Sequence, residues 1–311
     1  MTGQIERQRP IQTATILMNP MARGIRRFDS AGAEAYLKRR GIEPRVKLSE
    51  SPLHASRIAA RAAEREEDLL FVIGGDGTLR DAARGMAGAR TALAPIQAGT
   101  ANVLAREFGI PHGIPSAFKA HLSGQTVAMD VGLANDEMFL MMAGIGWDAD
   151  VVGGVGGRMK QRTGQLAYVL ATARRLPRFH TVEAEWSSGL MHWQGPLAQM
   201  VVSNTRLYGG LVRPIPNARA NDGALDFLAL CPRVRGDGLR LSAKLMLRRT
   251  VRDTRVLTGR VPELAISTPG IPYQLDGDYE GVTPLRLRVQ PLALQLRIPA
   301  GPLPPALATA E

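Results

Sequence analysis

The residues most able to do chemistry in this chain are Gly74-Gly75-Asp76-Gly77-Thr78, placed directly behind the apolar run 69–73. Glycines can take backbone angles closed to other residues and let amide N–H groups approach an anion closely, so the string is a candidate phosphate cradle. Asp76 and Thr78 add a carboxylate and a hydroxyl at the carboxyl end of what reads as a buried strand, where open α/β sheets gather ligands. The same string also reads as an ordinary turn. It fits neither common nucleotide template: no lysine follows a glycine, as the Walker pattern requires, and 75–80 lacks the third glycine of the dinucleotide fingerprint. Other polar turns are Asn19-Pro20 through Gly24, Gly99-Thr100-Ala101-Asn102, Asp222-Gly223 and Asp276-Gly277-Asp278. On local grounds alone the two Asp-Gly sites are turn chemistry. The histidines, at 54, 112, 121, 180 and 192, have no ligand spacing, and none is assigned to metal or catalysis.

These turns need a scaffold, and the hydrophobic pattern supplies one. Strands are predicted at 13–18, 44–48, 69–73 and 93–97, alternating with helices at 28–40, 52–66, 79–87 and 103–108. Such alternation predicts a parallel, doubly wound Rossmann-like sheet, with the loops 19–24, 74–78 and 99–102 at one edge. After about residue 126 the texture changes. Short apolar or alternating segments at 126–135, 138–144, 181–186, 197–204, 223–231, 261–268 and 285–290 predict an antiparallel β-sandwich. Helical insertions are expected at 164–176, with apolar residues at 166, 169, 170, 173 and 176, and at 239–255. The expected division is a nucleotide-binding α/β domain over 1–127, completed by 292–311, and a β-sandwich over 128–291. Trp147 is expected to line the space between them, and the proline-rich tail 299–311 is expected to be mobile.

At 311 residues and 45% hydrophobic content the chain can fill two cores, which excludes disorder as the default. The single cysteine, Cys231, forbids an intrachain disulfide and suits a reducing compartment. Residues 1–10 lack a secretory pattern and no apolar run is long enough to span a bilayer, so a cytoplasmic location is expected. The net charge of +11 is concentrated: 158–178 holds six basic residues and no acid, and 233–260 holds nine against two. This clustering suits an anionic surface, either lipid headgroups or nucleic acid, or else a solvated arginine-rich face.

Taken together, Asn19-Pro20-Met21-Ala22-Arg23-Gly24, Gly74 to Thr78, Pro95 to Asn102 followed by Ala105-Arg106, and Leu275-Asp276-Gly277-Asp278 resemble the diacylglycerol kinase catalytic family in its bacterial lipid kinase branch, relatives of sphingosine and ceramide kinases. The Gly-Gly-Asp-Gly core also occurs in NAD kinases and phosphofructokinases; order and spacing make the set specific. The resemblance implies an ATP- and Mg²⁺-dependent kinase that phosphorylates a lipid hydroxyl, such as that of diacylglycerol, between the two domains. It implies nucleotide binding by Asn19, Pro20, Gly24, Ser49, Gly74, Gly75, Asp76, Gly77, Thr78, Thr100 and Asn102. Asp276 is nominated as the base, with Asp278 beside it; the family has glutamate where Asp278 stands. Arg80-Asp81 likewise replaces the family's Asn-Glu.

The segment 218–226 is similar to the family's Asp-Gly-x-Leu-Asp entry, implying a structural Mg²⁺ held by Asp222 and the carbonyls of Arg219 and Ala224, with Asp130 in a linked metal and water network. The partner implied is lipid at an anionic membrane surface, reached by peripheral docking through Lys160, Arg162, Arg174, Arg175 and Arg178. No nucleic acid is expected, and a homodimer is possible. The rival enzyme is an NAD kinase, whose Asn-Glu motif after the second glycine loop is not evident here. The rival from another class is a non-catalytic, nucleotide-sensing regulator on the same scaffold.

Overall fold

The computed structural model describes residues 10–22, 24–25, 29–154, 180–189, 191–210, 212–232, 234, 237, 241 and 253–307. The predicted helix 164–176 and its basic residues Lys160, Arg162, Arg174, Arg175 and Arg178 lie outside these, as do Arg23 and nearly all of 239–255. The chain divides into two compact units, Met1–Met129 with Leu292–Glu311, and Asp130–Pro291.

In the first unit the order is β1 (Thr13–Met18), α1 (Ser30–Lys38), β2 (Glu43–Leu48), α2 (Pro52–Glu64), β3 (Leu69–Gly74), α3 (Asp76–Met86), β4 (Ala92–Gln97), α4 (Val103–Glu107) and α5 (Ile114–Leu122). The strands pair in parallel in the order β2-β1-β3-β4. Every residue of β3 is buried, as a strand covered on both faces requires. Helix entry follows local chemistry. Asp29 accepts from the Gly32 amide to start α1, and Ser51 accepts from the His54 amide to start α2, with Pro52 in the first turn where its missing N–H costs nothing.

Two features differ from the sequence reading. α3 begins at Asp76 rather than 79, so Asp76, Gly77 and Thr78 form its first turn instead of a free loop. α5 was not anticipated; its apolar positions are too few over nine residues to declare a period, and it is held by burial of Ala117, Phe118 and His121.

The second unit begins within β5 (Gln125–Ala134) and continues through β6 (Glu137–Phe139), β7 (Met142–Gly146), α6 (Trp147–Gly153), β8 (Val182–Ser188), β9 (Met191–Leu197), β10 (Gln199–Ser203), β11 (Leu225–Leu230), β12 (Val256–Val261), β13 (Glu263–Ile266), β14 (Pro272–Leu275), β15 (Asp278–Val282) and into β16 (Leu285–Ile298). One antiparallel sheet runs β12-β11-β10-β7-β14-β15, and a second has β16-β13-β8-β9 as neighbours. Their inner faces share one core. Trp186 from β8 meets Phe227 from β11 edge to face at 5.2 Å between ring centroids, beside Ile145, Met200, Leu264, Leu275 and Leu287.

β16 is longer than the expected 285–290, because its C-terminal part returns to the first unit, where Leu296 pairs in parallel with Leu93 of β4. The tail expected to be mobile is anchored at both ends of its described part, with 300–303 exposed between them, and 308–311 lie outside the described residues. Ala306 and Leu307 are buried, and Gln125 donates to the carbonyls of Pro299 and Gly301.

His121 shows how tightly the first unit is closed. Its Nε2–H donates to the Pro95 carbonyl at 2.7 Å, its Nδ1 is buried without a partner, and Arg297, also buried, donates to its carbonyl at 2.8 Å. Burial first, and the nearby Arg297 charge, push the imidazole down to about 4. The unfolded chain therefore binds a proton that the folded one refuses between about pH 6.5 and 4, and stability falls as pH drops through that window, by up to about 3 kcal/mol. His121→Gln, which keeps a donor for Pro95 and does not titrate, is expected to flatten that part of the stability profile; urea midpoints at pH 7 and pH 4.5 measure it.

Candidate active site

The carboxyl ends of β1, β3 and β4 bring three polar loops into direct contact. Gly24 donates its amide to the Ala98 carbonyl at 3.2 Å, Asn19 to that of Ile73 at 3.1 Å, and Ala98 to that of Gly74 at 3.0 Å. The glycines serve close approach rather than unusual angles, since none of Gly74, Gly75 and Gly77 has a positive φ. A Cβ on Gly99 would lie 2.4 Å from the Gly75 Cα, and one on Gly74 would lie 2.7 Å from the Thr78 Cβ. Only bare backbone fits at that junction.

Most polar side chains nominated for the nucleotide hold these loops to one another. Asn19 donates through Nδ2 to the Thr78 hydroxyl at 2.9 Å and accepts from the Met21 amide. Asp76 accepts from the amides of Val103 and Leu104 at 3.0 and 3.2 Å, capping α4 from the first turn of α3. Asn102, in the left-handed region at φ 47°, closes the 99–102 loop by accepting from the Gly99 amide and donating to its carbonyl. Ser49 is buried at the end of β2 with its hydroxyl on the Met18 carbonyl. Pro20, Gly24 and Thr100 are exposed. Gly75, at the N-cap of α3, has no side chain to cap the helix, so the helix start is chemically suited to an anion.

In the second unit the Asp276-Gly277-Asp278 turn joins β14 to β15. Asp276, at φ 51°, accepts from Leu140 N through one carboxylate oxygen and from Met141 N and Met142 N through the other, all within 2.8–3.0 Å. Its own amide donates to the Met142 carbonyl. Asp278 opens β15 and is partly exposed. Trp147 is buried in the first turn of α6.

The third acidic group surrounds the turn at Gly223. Asp130, fully buried, accepts from the Gly223 amide at 2.7 Å, and Asn204 donates to the carbonyls of Asp130 and Leu140. Arg260 lies across Asp222 and Asp226, at 2.9 and 3.3 Å. Burial raises the Asp222 carboxyl, Arg260 lowers it, and Asp226 and Asp130 raise it again. Among the described residues no three His, Cys, Asp or Glu side chains are grouped to hold a metal. Asp222 Oδ2 is buried without a hydrogen bond and has the half-exposed Arg260 guanidinium at 2.9 Å, so a Mg²⁺ taken there with backbone carbonyls would meet that oxygen in place of the guanidinium.

Comparison with known proteins bears on this geometry. Residues 13–134 match the diacylglycerol kinase catalytic domain, and 142–298 match the YegS C-terminal NAD kinase β-sandwich-like domain. A diacylglycerol kinase of Mycobacterium tuberculosis is 31% identical over 306 residues, covering 96% of this chain and 98% of that one. The chain belongs to the diacylglycerol kinase catalytic family. It is thereby placed among the kinases of the bacterial lipid kinase branch. A diacylglycerol kinase of Bacillus subtilis is 28% identical over 279 residues, 88% of this chain and 92% of that one. The fold is shared with a crystal structure of a diacylglycerol kinase from Bacillus anthracis, with TM-score 0.72 at 18% identity over 94% of this chain and 98% of that one.

Sequence reasoning missed Asp148, Tyr208, Gln274 and Arg260, each of which touches the acidic turns or their supports. Asp148 carried a signal, an acid two residues beyond Gly144-Ile145-Gly146; Arg260 ends the basic segment 233–260, Gln274 directly precedes Leu275-Asp276, and Tyr208 stands in unremarkable loop sequence.

Asp76 offers a direct test of the loop assembly. Asp76→Ala leaves the start of α4 uncapped and is expected to cost about 1–2 kcal/mol, read as a lower denaturant midpoint.

Proposed function

We propose that this protein is an ATP- and Mg²⁺-dependent lipid kinase that transfers the γ-phosphate to a hydroxyl of a lipid such as diacylglycerol. The reading is carried by the start of α3, whose glycine N-cap, Gly75, offers no capping side chain, set against the dense glycine junction at the ends of β1, β3 and β4. Family membership supports a kinase, and the names of its relatives support diacylglycerol as one acceptor.

Phosphoryl transfer asks mainly for positioning and charge neutralisation. The amides of 74–78 at the start of α3 would hold the phosphates, with Asn19 and Thr78 fixing the neighbouring loop and Thr100 at the exposed rim. Mg²⁺ accompanying the polyphosphate would neutralise its charge; no step depends on a metal at Asp222. Asp276 would accept the proton of the acceptor hydroxyl. Three backbone amides hold its carboxylate in one orientation, so little reorganisation is needed at the moment of transfer. Asp278 sits beside it across Gly277.

No described helix is long and apolar enough to cross a membrane; a lipid acceptor would be met at the bilayer surface. The basic segments 158–178 and 233–260 would supply the attraction, at roughly 1 kcal/mol per basic residue near anionic lipid. Binding to vesicles containing phosphatidylglycerol is expected to fall steeply as salt rises from 50 to 500 mM in any such assay, with weak binding to neutral vesicles. Binding indifferent to salt and headgroup charge would contradict peripheral electrostatic docking.

The activity test is transfer of labelled γ-phosphate from ATP into a panel of lipid alcohols, separated by chromatography. Asp276→Asn is expected to lower turnover by about 10²-fold or more. It also turns an amide NH₂ toward backbone N–H donors, so thermal unfolding must show that the variant is folded at the assay temperature. Wild-type-like turnover in a folded Asp276→Asn protein removes Asp276 from the reaction.

A further inference from the structure

We propose that Asp148, acting through Gln274, is a positioning residue for the Asp276-Gly277-Asp278 turn. The inference rests on the reading of that turn as the one that receives the acceptor's proton. Gln274 lies on β14, and its side-chain oxygen accepts from the Gly277 amide at 2.7 Å. That bond decides which way the amide faces, because an N–H can be met only by the oxygen. The Nε2 group is therefore at the far end, where it donates to Asp148 Oδ2 at 3.0 Å. The other oxygen of Asp148 accepts from the Tyr208 hydroxyl. A continuous chain thus runs from Tyr208 through Asp148 and Gln274 to the backbone of the turn.

A second, independent feature shows that the pair is built for. Gly144 on β7 is the cross-strand partner of Gln274. A Cβ there would lie 1.9 Å from Asp148 Oδ2 and 2.5 Å from Gln274 Nε2. The missing side chain of residue 144 is the space in which the two groups meet. The turn is then gripped from two sides, by the amides of 140–142 on the Asp276 carboxylate and by Gln274 on Gly277.

The arrangement is costly if its role is only packing. Burial raises the Asp148 carboxyl to about 6 even though Gln274 pulls it down, so at neutral pH the charged form weakens the fold. A neutral residue of similar size would fill the same place with less penalty. An acid here fits the direction of the hydrogen bonds: a carboxylate has only acceptors, so it takes the Nε2 end of Gln274 and reinforces the orientation in which the oxygen meets Gly277.

The test is a swap. Gln274→Glu places two carboxylates against each other and is expected to lower kcat for lipid phosphorylation about tenfold or more at pH 8, with KM for ATP within about twofold. Adding Asp148→Asn restores a donor facing the new glutamate, whose second oxygen still accepts from Gly277. The double variant is expected to recover at least about threefold over Gln274→Glu alone, a non-additivity that loss of packing would not produce. Asp148→Leu, which has no acceptor, is expected to behave like Gln274→Glu. On the same proteins, hydrogen exchange at the Gly277 amide is expected to speed up about tenfold in Asp148→Leu and to be protected again in the double variant.

Unchanged kcat in folded Gln274→Glu, absence of recovery in the double variant, or Gly277 protection indifferent to Asp148→Leu would each overturn the inference. Failure of the underlying reading looks different: Asp276→Asn and Asp278→Asn would both keep full turnover, while the exchange result would still report the link.

Discussion

A backbone amide taken out of water must be given an acceptor, and in this protein aspartates do so at the decisive points. Asp76 receives the first amides of α4, Asp130 receives Gly223, and Asp276 receives three consecutive amides at 140–142. Each of these bonds spans at least 27 positions of sequence, so each fixes one segment against another that the chain itself does not bring near. The loops are ordered by charge-assisted bonds to backbone, which are stronger than neutral ones and set direction as well as distance.

The consequence for function is a division of labour between side chains and main chain. In the first unit the polar side chains of Asn19, Asp76, Thr78 and Asn102 are engaged in holding loops. Around them the backbone is pressed together where Gly75 faces Gly99. On the proposed reading, phosphate would be met there by backbone N–H groups, a mode of recognition indifferent to the rest of the molecule attached to it. In the second unit the carboxylates are directed by their neighbours. Tyr208, Asp148 and Gln274 approach the same turn that Asp276 anchors from its other side.

Much of the first unit was legible because β1, β3 and β4 are largely buried and its first two helices carry local start signals. β1 and β4 fall within one residue of the pattern that predicts them, and Ser51-Pro52 marks the start of α2. Legibility failed where local cues compete. Gly-Gly-Asp-Gly looks like a loop, since glycine and aspartate are poor helix formers, yet Asp76 to Thr78 are the first turn of α3. The tail 299–307 looks mobile by its prolines and is held instead by Ala306, Leu307 and Gln125, whose partners lie some 175 residues away.

By itself the sequence determined that a parallel α/β part precedes an antiparallel one, because burial periodicity and turn residues are local properties. It also determined where the charge is concentrated. Only the tertiary structure decided what each carboxylate does. Asp76 is a helix cap, Asp222 shares Arg260 with Asp226, and Asp148 meets Gln274 in the space left by Gly144. The physical reason is that a carboxylate's role is set by the donors within about 3 Å of it, and those donors come from distant parts of the chain.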